Sequence, residues 1–177
     1  ATYVPSLNYN GSDSFSFTVS DEMATSTAAV VSITVNKVND VPSATPLSFS
    51  TNEDVSKSIE LVGSDPDGDN LTYVLTSQPS QGRASLSSST VTYTPSANYN
   101  GIDSFEFKVS DGIAISEAAP VSVTVTAMND SPVLNSVGDQ NITEGSFSEF
   151  SLVGSDVDGD MLTYSVSGNP AGSTLWG

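Results

Sequence analysis

The sequence predicts an all-β chain of tandem Greek-key β-sandwich repeats, each about 90 residues long with about seven strands. Three observations carry that prediction. Tyr3 to Pro42 returns at Tyr93 to Pro132 with an offset of 90 and no gap, and 25 of the 40 positions are identical. Apolar residues alternate with polar ones at a period of two, the mark of half-buried strands, and no window of useful length has a helical period. Clusters of Gly, Pro, Asn and Ser separate these runs, as turns between strands require.

The other half of the period repeats too. Glu53 and Leu61 to Tyr73 match Glu144 and Leu152 to Tyr164, now offset by 91. The chain therefore divides into the C-terminal half of a repeat (1–40), one complete repeat (41–130) and the N-terminal half of a third (131–177). Along the complete repeat a short strand is expected near Leu47 to Phe49, followed by one carrying Ile59, Leu61 and Gly63. Leu71, Tyr73 and Leu75 mark the third, Ala84 and Leu86 the fourth, Val91 and Tyr93 the fifth. Phe105, Phe107 and Val109 form the sixth, and Val121, Val123 and Val125 close the repeat. These apolar and aromatic residues are the expected core. "NYNG" (Asn98 to Gly101) reads as a turn, with Tyr99 placed to pin the corner before the Phe strand.

Charge narrows the partners. The 177 residues hold 21 Asp plus Glu against four Lys plus Arg and no His, for a net charge of −17. Phosphate binding needs clustered Lys and Arg, so nucleic acid is not an expected partner, and an anionic membrane surface is disfavoured for the same reason. No run of about 18 apolar residues exists to insert into a membrane. Cys is absent, which removes disulfides, thiolate metal sites and cysteine nucleophiles. What such a chain can recruit is cations.

The acid is also patterned. "LVGSDPDGDN" (Leu61 to Asn70) sets aspartates at alternate positions around a glycine, and "LVGSDVDGDM" repeats the pattern with Asp156, Asp158 and Asp160. Two like charges about 4 Å apart repel by roughly 4 kcal/mol at an effective dielectric of about 20. The first cluster lies in a loop between two strands, at the pole where "VSDG" (Val109 to Gly112) ends the Phe strand and "VNDVP" (Val38 to Pro42) enters. Hard oxygens converging from several loops meet the need of Ca2+ for six to eight oxygen ligands, whereas Mg2+ asks for a more rigid octahedron with retained waters. An EF-hand is excluded by spacing: it needs Gly sixth and Glu twelfth, and counting from Asp65 gives Asn70 and Thr76. The alternative for any single Asp-Gly or Asn-Asp is an ordinary turn residue, and Asp13 and Asp103 are read that way.

"LVGSDPDGDNLTY", the entering "ND-x-P" and the "VSDG" loop together resemble the cadherin pattern. The closest resemblance is to the cadherin-like and Ig-like tandem repeats of large calcium-binding bacterial surface proteins and adhesins. It implies a Ca2+ site at the first junction built from Asn39, Asp40, Asp65, Asp67 and Asp111, with a further oxygen from Asp69 or Asn70. It implies a second from Asn129, Asp130, Asp156, Asp158 and Asp160, with Glu53 reaching it from the far end of the complete repeat. By the same carry-over Glu144 and Asp21 serve junctions outside the chain. The cadherin "LDRE" motif has no counterpart here, which leaves open the number of ions at each junction.

No enzyme is expected. There is no histidine for a Ser-His-Asp system, G-x-S-x-G does not occur, and Trp176 is the one tryptophan available as an aromatic platform for a glycosidase. The expected function is a calcium-rigidified spacer, a stalk or fibre segment of an extracellular bacterial surface protein, whose partners are the neighbouring repeats of its own chain. Two alternatives stand beside it. One is a glycan- or protein-binding accessory module of a secreted protein. The other is a filament subunit, in which the half-sandwich at one end associates head to tail with the half-sandwich of the next molecule.

Overall fold

A computed structural model of the chain describes residues 1–165, 167 and 168, and among them there is no helix. They separate into two compact units, Ala1–Thr126 and Ala127–Gly177. The first unit opens with the hairpin β1 (Gly11–Phe17) and β2 (Ala29–Val35). The complete repeat supplies β3 (Ser43–Ala44), β4 (Leu47–Asn52), β5 (Lys57–Glu60), β6 (Gly63–Ser64) and β7 (Thr72–Leu75). It continues with β8 (Gly82–Ser87), β9 (Thr90–Pro95), β10 (Gly101–Ser110) and β11 (Ala119–Thr126). Among the described residues, the second unit carries β12 (Val133–Leu134) and β13 (Gly154–Ser155).

The complete repeat is a sandwich of a four-stranded sheet, β4-β11-β10-β7, and a three-stranded sheet, β5-β9-β8. Alternation does what it predicts. Along β11 every second residue is buried, so Val121, Val123 and Val125 face the other sheet while Ser122 and Thr124 face outward. Phe105, Phe107 and Val109 from β10 meet Val91 and Tyr93 from β9 in a core with Leu61 and Ala84. Phe49 approaches the edge of Tyr93 at 6.1 Å between centroids, and Tyr73 stacks on Phe107 at 6.4 Å.

One expectation is corrected. The run of Ile59, Leu61 and Gly63 is not one strand. Its first part is β5, paired with β9, and its last is β6, paired with β3, so the chain changes partner at Leu61, whose N–H donates to Ser89 O. Alternation fixes which face a residue takes but not which strand it pairs with, so the break is invisible in the pattern. β4 pairs with β11 in parallel, Leu47 opposite Val121 and Asn52 opposite Thr126. Tyr99 pins the corner before β10, where its hydroxyl donates forward to Ile102 O at 2.8 Å. Gly101 makes room for that ring: its φ is +135°, and a Cβ there would stand 2.9 Å from the Tyr99 hydroxyl.

The repetition survives at the level of hydrogen bonds. β1 and β2 pair from Gly11 opposite Val35 to Phe17 opposite Ala29, and β10 and β11 from Gly101 opposite Val125 to Phe107 opposite Ala119, the same register moved by 90 residues. Burial differs sharply. Phe15 and Phe17 are 40% and 53% exposed, whereas Phe105 and Phe107 are 1% and 0% exposed. The second pair is covered by β8 and β9 and flanked by β4 and β7; among the described residues the first pair has no such cover.

Candidate metal centre

The first acid cluster is built by Asp65 folding its own loop around itself. Its Oδ1 accepts the backbone N–H of Asp67 at 2.8 Å and of Asp69 at 3.2 Å, and its carbonyl accepts Gly68 N–H at 3.2 Å. Gly68 sits at φ +73°, the left-handed region that a glycine enters without strain. The turn brings one carboxylate oxygen from each of Asp65, Asp67 and Asp69 within 4.8 Å of the others.

The linker into the repeat closes over this loop. Asp40 N–H donates to Asp67 Oδ2 at 2.7 Å, and Asn39 Nδ2 donates to Asp111 Oδ2 at 2.9 Å and to Asp40 O at 3.0 Å. Asp111 is held by its own turn, with Oδ1 accepting Ala114 N–H at 2.6 Å and Ile113 N–H at 2.7 Å. The Ala114 bond, then the Asn39 bond and the Ile113 bond, hold the Asp111 carboxyl below the usual carboxylate range. Asn39, Asp40, Asp65, Asp67, Asp69 and Asp111 are therefore brought together, as the resemblance implies.

Two buried oxygens in this group, Asp65 Oδ2 and Asn39 Oδ1, have no hydrogen-bond partner. The Asp67 side chain is only 4% exposed. A buried polar atom left without a partner costs about 1–3 kcal/mol, more when it is charged. A hard divalent cation removes that cost, because it is coordinated by such carboxylate and amide oxygens. The donor set fits calcium.

The cluster also contains a residue that the sequence reading passed over. Lys37 Nζ lies 2.9 Å from Asp69 Oδ2 and 3.8 Å from Asp67 Oδ1. The Asp69 bond, the largest cause, and the nearby charges of Asp67, Asp69 and Asp65 raise the Lys37 pKa against an opposing desolvation. Its signal was available: one of only four cationic residues stands two positions before the Asn-Asp pair.

The second unit repeats the loop. Asp130 N–H donates to Asp158 Oδ2 at 2.6 Å, and Asn129 Nδ2 donates to Asp130 O at 2.7 Å. Asp156 Oδ1 accepts Asp158 N–H at 3.0 Å and Asp160 N–H at 3.3 Å, and Asp156 O accepts Gly159 N–H at 3.3 Å. These five bonds are the five of the first cluster, residue for residue. β12 and β13 likewise pair as β3 and β6 do.

The remaining candidates lie elsewhere. Glu53 is 3% exposed in the first unit, where its N–H donates to Thr126 O at 3.0 Å. Glu144 stands in an exposed turn of the second unit. Asp21 forms the same turn as Asp111, accepting from Met23 and Ala24. Trp176 lies outside the described residues. Asp103 corrects the reading of a turn residue: it sits within β10, 4% exposed, in phase with Phe105 and Phe107. Its carboxylate accepts from Ser80 N–H, Gln81 N–H, Ser104 N–H and the Tyr93 hydroxyl, all between 2.9 and 3.0 Å. That parity with the Phe residues was the signal that places it inward.

The chain is similar to several known proteins. Over 159 residues the chain is 28% identical to the integrin beta-like protein A of Dictyostelium discoideum, covering 78% of this chain and 8% of that protein. Among solved structures it is similar to human mucin-like protocadherin EC1-2. That likeness has a TM-score of 0.51 at 16% identity, covers 71% of this chain and 73% of the other, and supports the fold alone. An endo-fucoidan hydrolase of glycoside hydrolase family 107 matches at a TM-score of 0.43 and 25% identity, over 70% of this chain and 20% of that one. The bacterial Ig domain model matches residues 1–34 and 39–125, across the hairpin and the complete sandwich. With its all-β repeats sharing one register, the chain belongs to the bacterial Ig domain family.

Proposed function

We propose that this chain is a length of spacer in an extracellular bacterial surface protein, divided as 1–40, 41–130 and 131–177, with calcium stiffening the junctions between repeats. The observation that supports this most is the recurrence of the same five hydrogen bonds at the start of two successive repeats, around carboxylates that repel without a cation. The protein is read as non-catalytic. Near-copies of one unit offer length more than recognition, which places a glycan- or protein-binding role second.

Calcium acts on rigidity more than on folding under this reading, because the complete sandwich has its own apolar core. Extracellular modules bind calcium with Kd of about 10⁻⁴ to 10⁻³ M, so at ten times Kd each site contributes only about 1.4 kcal/mol. Small-angle scattering with calcium and then with EGTA tests the reading. A more bent and heterogeneous particle in EGTA is expected, together with a small fall in Tm; an unchanged distance distribution overturns it.

The bare face of the β1–β2 hairpin supports a second assembly. Phe15, Phe17 and Val19 take the positions that Phe105, Phe107 and Val109 bury, so the first half of a repeat is the surface they fit. In the isolated chain the half-repeat 131–177 of a second copy would meet that need, head to tail.

A further inference from the structure

The two acid clusters share five hydrogen bonds but not their charge. In the first, Lys37 reaches Asp69 Oδ2 at 2.9 Å and Asp67 Oδ1 at 3.8 Å; the residue at its position in the second repeat is Ala127. Building on the calcium reading, we propose that Lys37 is a tethered competing cation, which makes the first junction bind calcium more weakly than the second and orders their filling.

The geometry supports displacement rather than cooperation. An ammonium has no lone pair to offer a metal, and its charge repels one, so an ion coordinated by Asp67 and Asp69 requires Lys37 to leave. Leaving is easy, because the Lys37 side chain is 44% exposed and hangs from a flexible stem. The lysine cannot stand in for the ion completely. Asp65 Oδ2 and Asn39 Oδ1 stay buried and unpartnered while Lys37 holds Asp67 and Asp69, so those two oxygens still call for a cation. The metal-free first junction thus keeps part of its acid neutralised, and the metal-free second junction has no tethered cation at the matching position. As calcium rises, the second junction fills first and the first junction follows.

The Lys37–Asp69 pair is exposed on both sides and such pairs are weak, so the expected effect is modest, on the order of fivefold in Kd. The experiment is calorimetric titration of the full chain with CaCl2, using Asp158→Ala to silence the second site and Asp67→Ala to silence the first. In the Asp158→Ala background, Lys37→Ala should tighten the surviving site about fivefold, while Lys37→Arg should leave it weak. In the Asp67→Ala background, Ala127→Lys should weaken the second site by a similar factor. Circular dichroism confirms that each variant keeps its strands. Calcium binding that is indifferent to Lys37→Ala overturns this inference and leaves the calcium reading standing. No calcium heat from the parent chain or from Lys37→Ala overturns both.

Discussion

Asp103 and Tyr93 face each other at 2.9 Å inside the complete sandwich, and Asp13 and Tyr3 repeat the pair at 2.9 Å in the open hairpin. The same two residues therefore sit in two environments. Burial, the largest influence on Asp103, pushes its carboxyl up, but the donors from Ser104, Tyr93, Gln81 and Ser80 together outweigh it and hold the carboxyl below its ordinary value. A carboxylate with a lowered folded pKa stabilises above its unfolded value of about 3.9 and loses that contribution as pH falls through the folded one. Asp103→Asn should flatten the acid limb of the stability curve and cost about 3 kcal/mol at neutral pH, because an amide cannot accept from every donor that faces the carboxylate. Urea denaturation of both proteins at several pH values checks both parts. Tyr93→Phe should cost about 1–2 kcal/mol, while Tyr3→Phe should leave the midpoint unmoved.

At the scale of the element, the aspartate loop is one turn, closed onto Asp65, around which the linker and the "VSDG" loop assemble. Gly68→Ala forces an L side chain into a left-handed turn at roughly 1–2 kcal/mol and should weaken calcium binding at the first site without touching the core. Asp67→Ala and Asp158→Ala should each abolish one site in a titration and spare the other, since no ligand is shared between the two sets. The strands of the sandwich were legible because alternation marks the buried face, and the loop was legible because it occurs twice. What was not legible has physical reasons. Alternation names a face and not a neighbour, which hid the parallel seat of β4 and the break at Leu61. Aspartate suits turns, so Asp103 was misread while its donors at Ser80 and Gln81 lay more than 20 residues away. Lys37 escaped because metal ligands are sought among oxygens.

For the molecule as a whole, Phe15 and Phe17 stand open on the β1–β2 hairpin, and a hollow lined by Val133, Leu134, Leu162 and Tyr164 stands open in the second unit. Apolar faces and unpaired edges of this kind drive association. Light scattering of the purified chain with calcium should therefore show species larger than a monomer, growing with concentration, and Phe15→Ser with Phe17→Ser should reduce them. A strict monomer at high concentration excludes the head-to-tail assembly and leaves the spacer reading intact.

After the two-residue β3, β4 is the first strand of the four-stranded sheet and β11 the strand by which the chain leaves it, and the two lie parallel over six residue pairs from Leu47 with Val121 to Asn52 with Thr126. Tension applied to the two ends of this repeat therefore pulls β4 and β11 past each other lengthwise. Hydrogen bonds loaded along the strand must fail together, whereas a hairpin pulled at its open end parts one rung at a time. Single-molecule stretching of this repeat should show an abrupt rupture at high force, and Val123→Pro, which deletes a donor and distorts the ladder, should lower it. A stalk that must not lengthen under flow would have much of its grip in that seam.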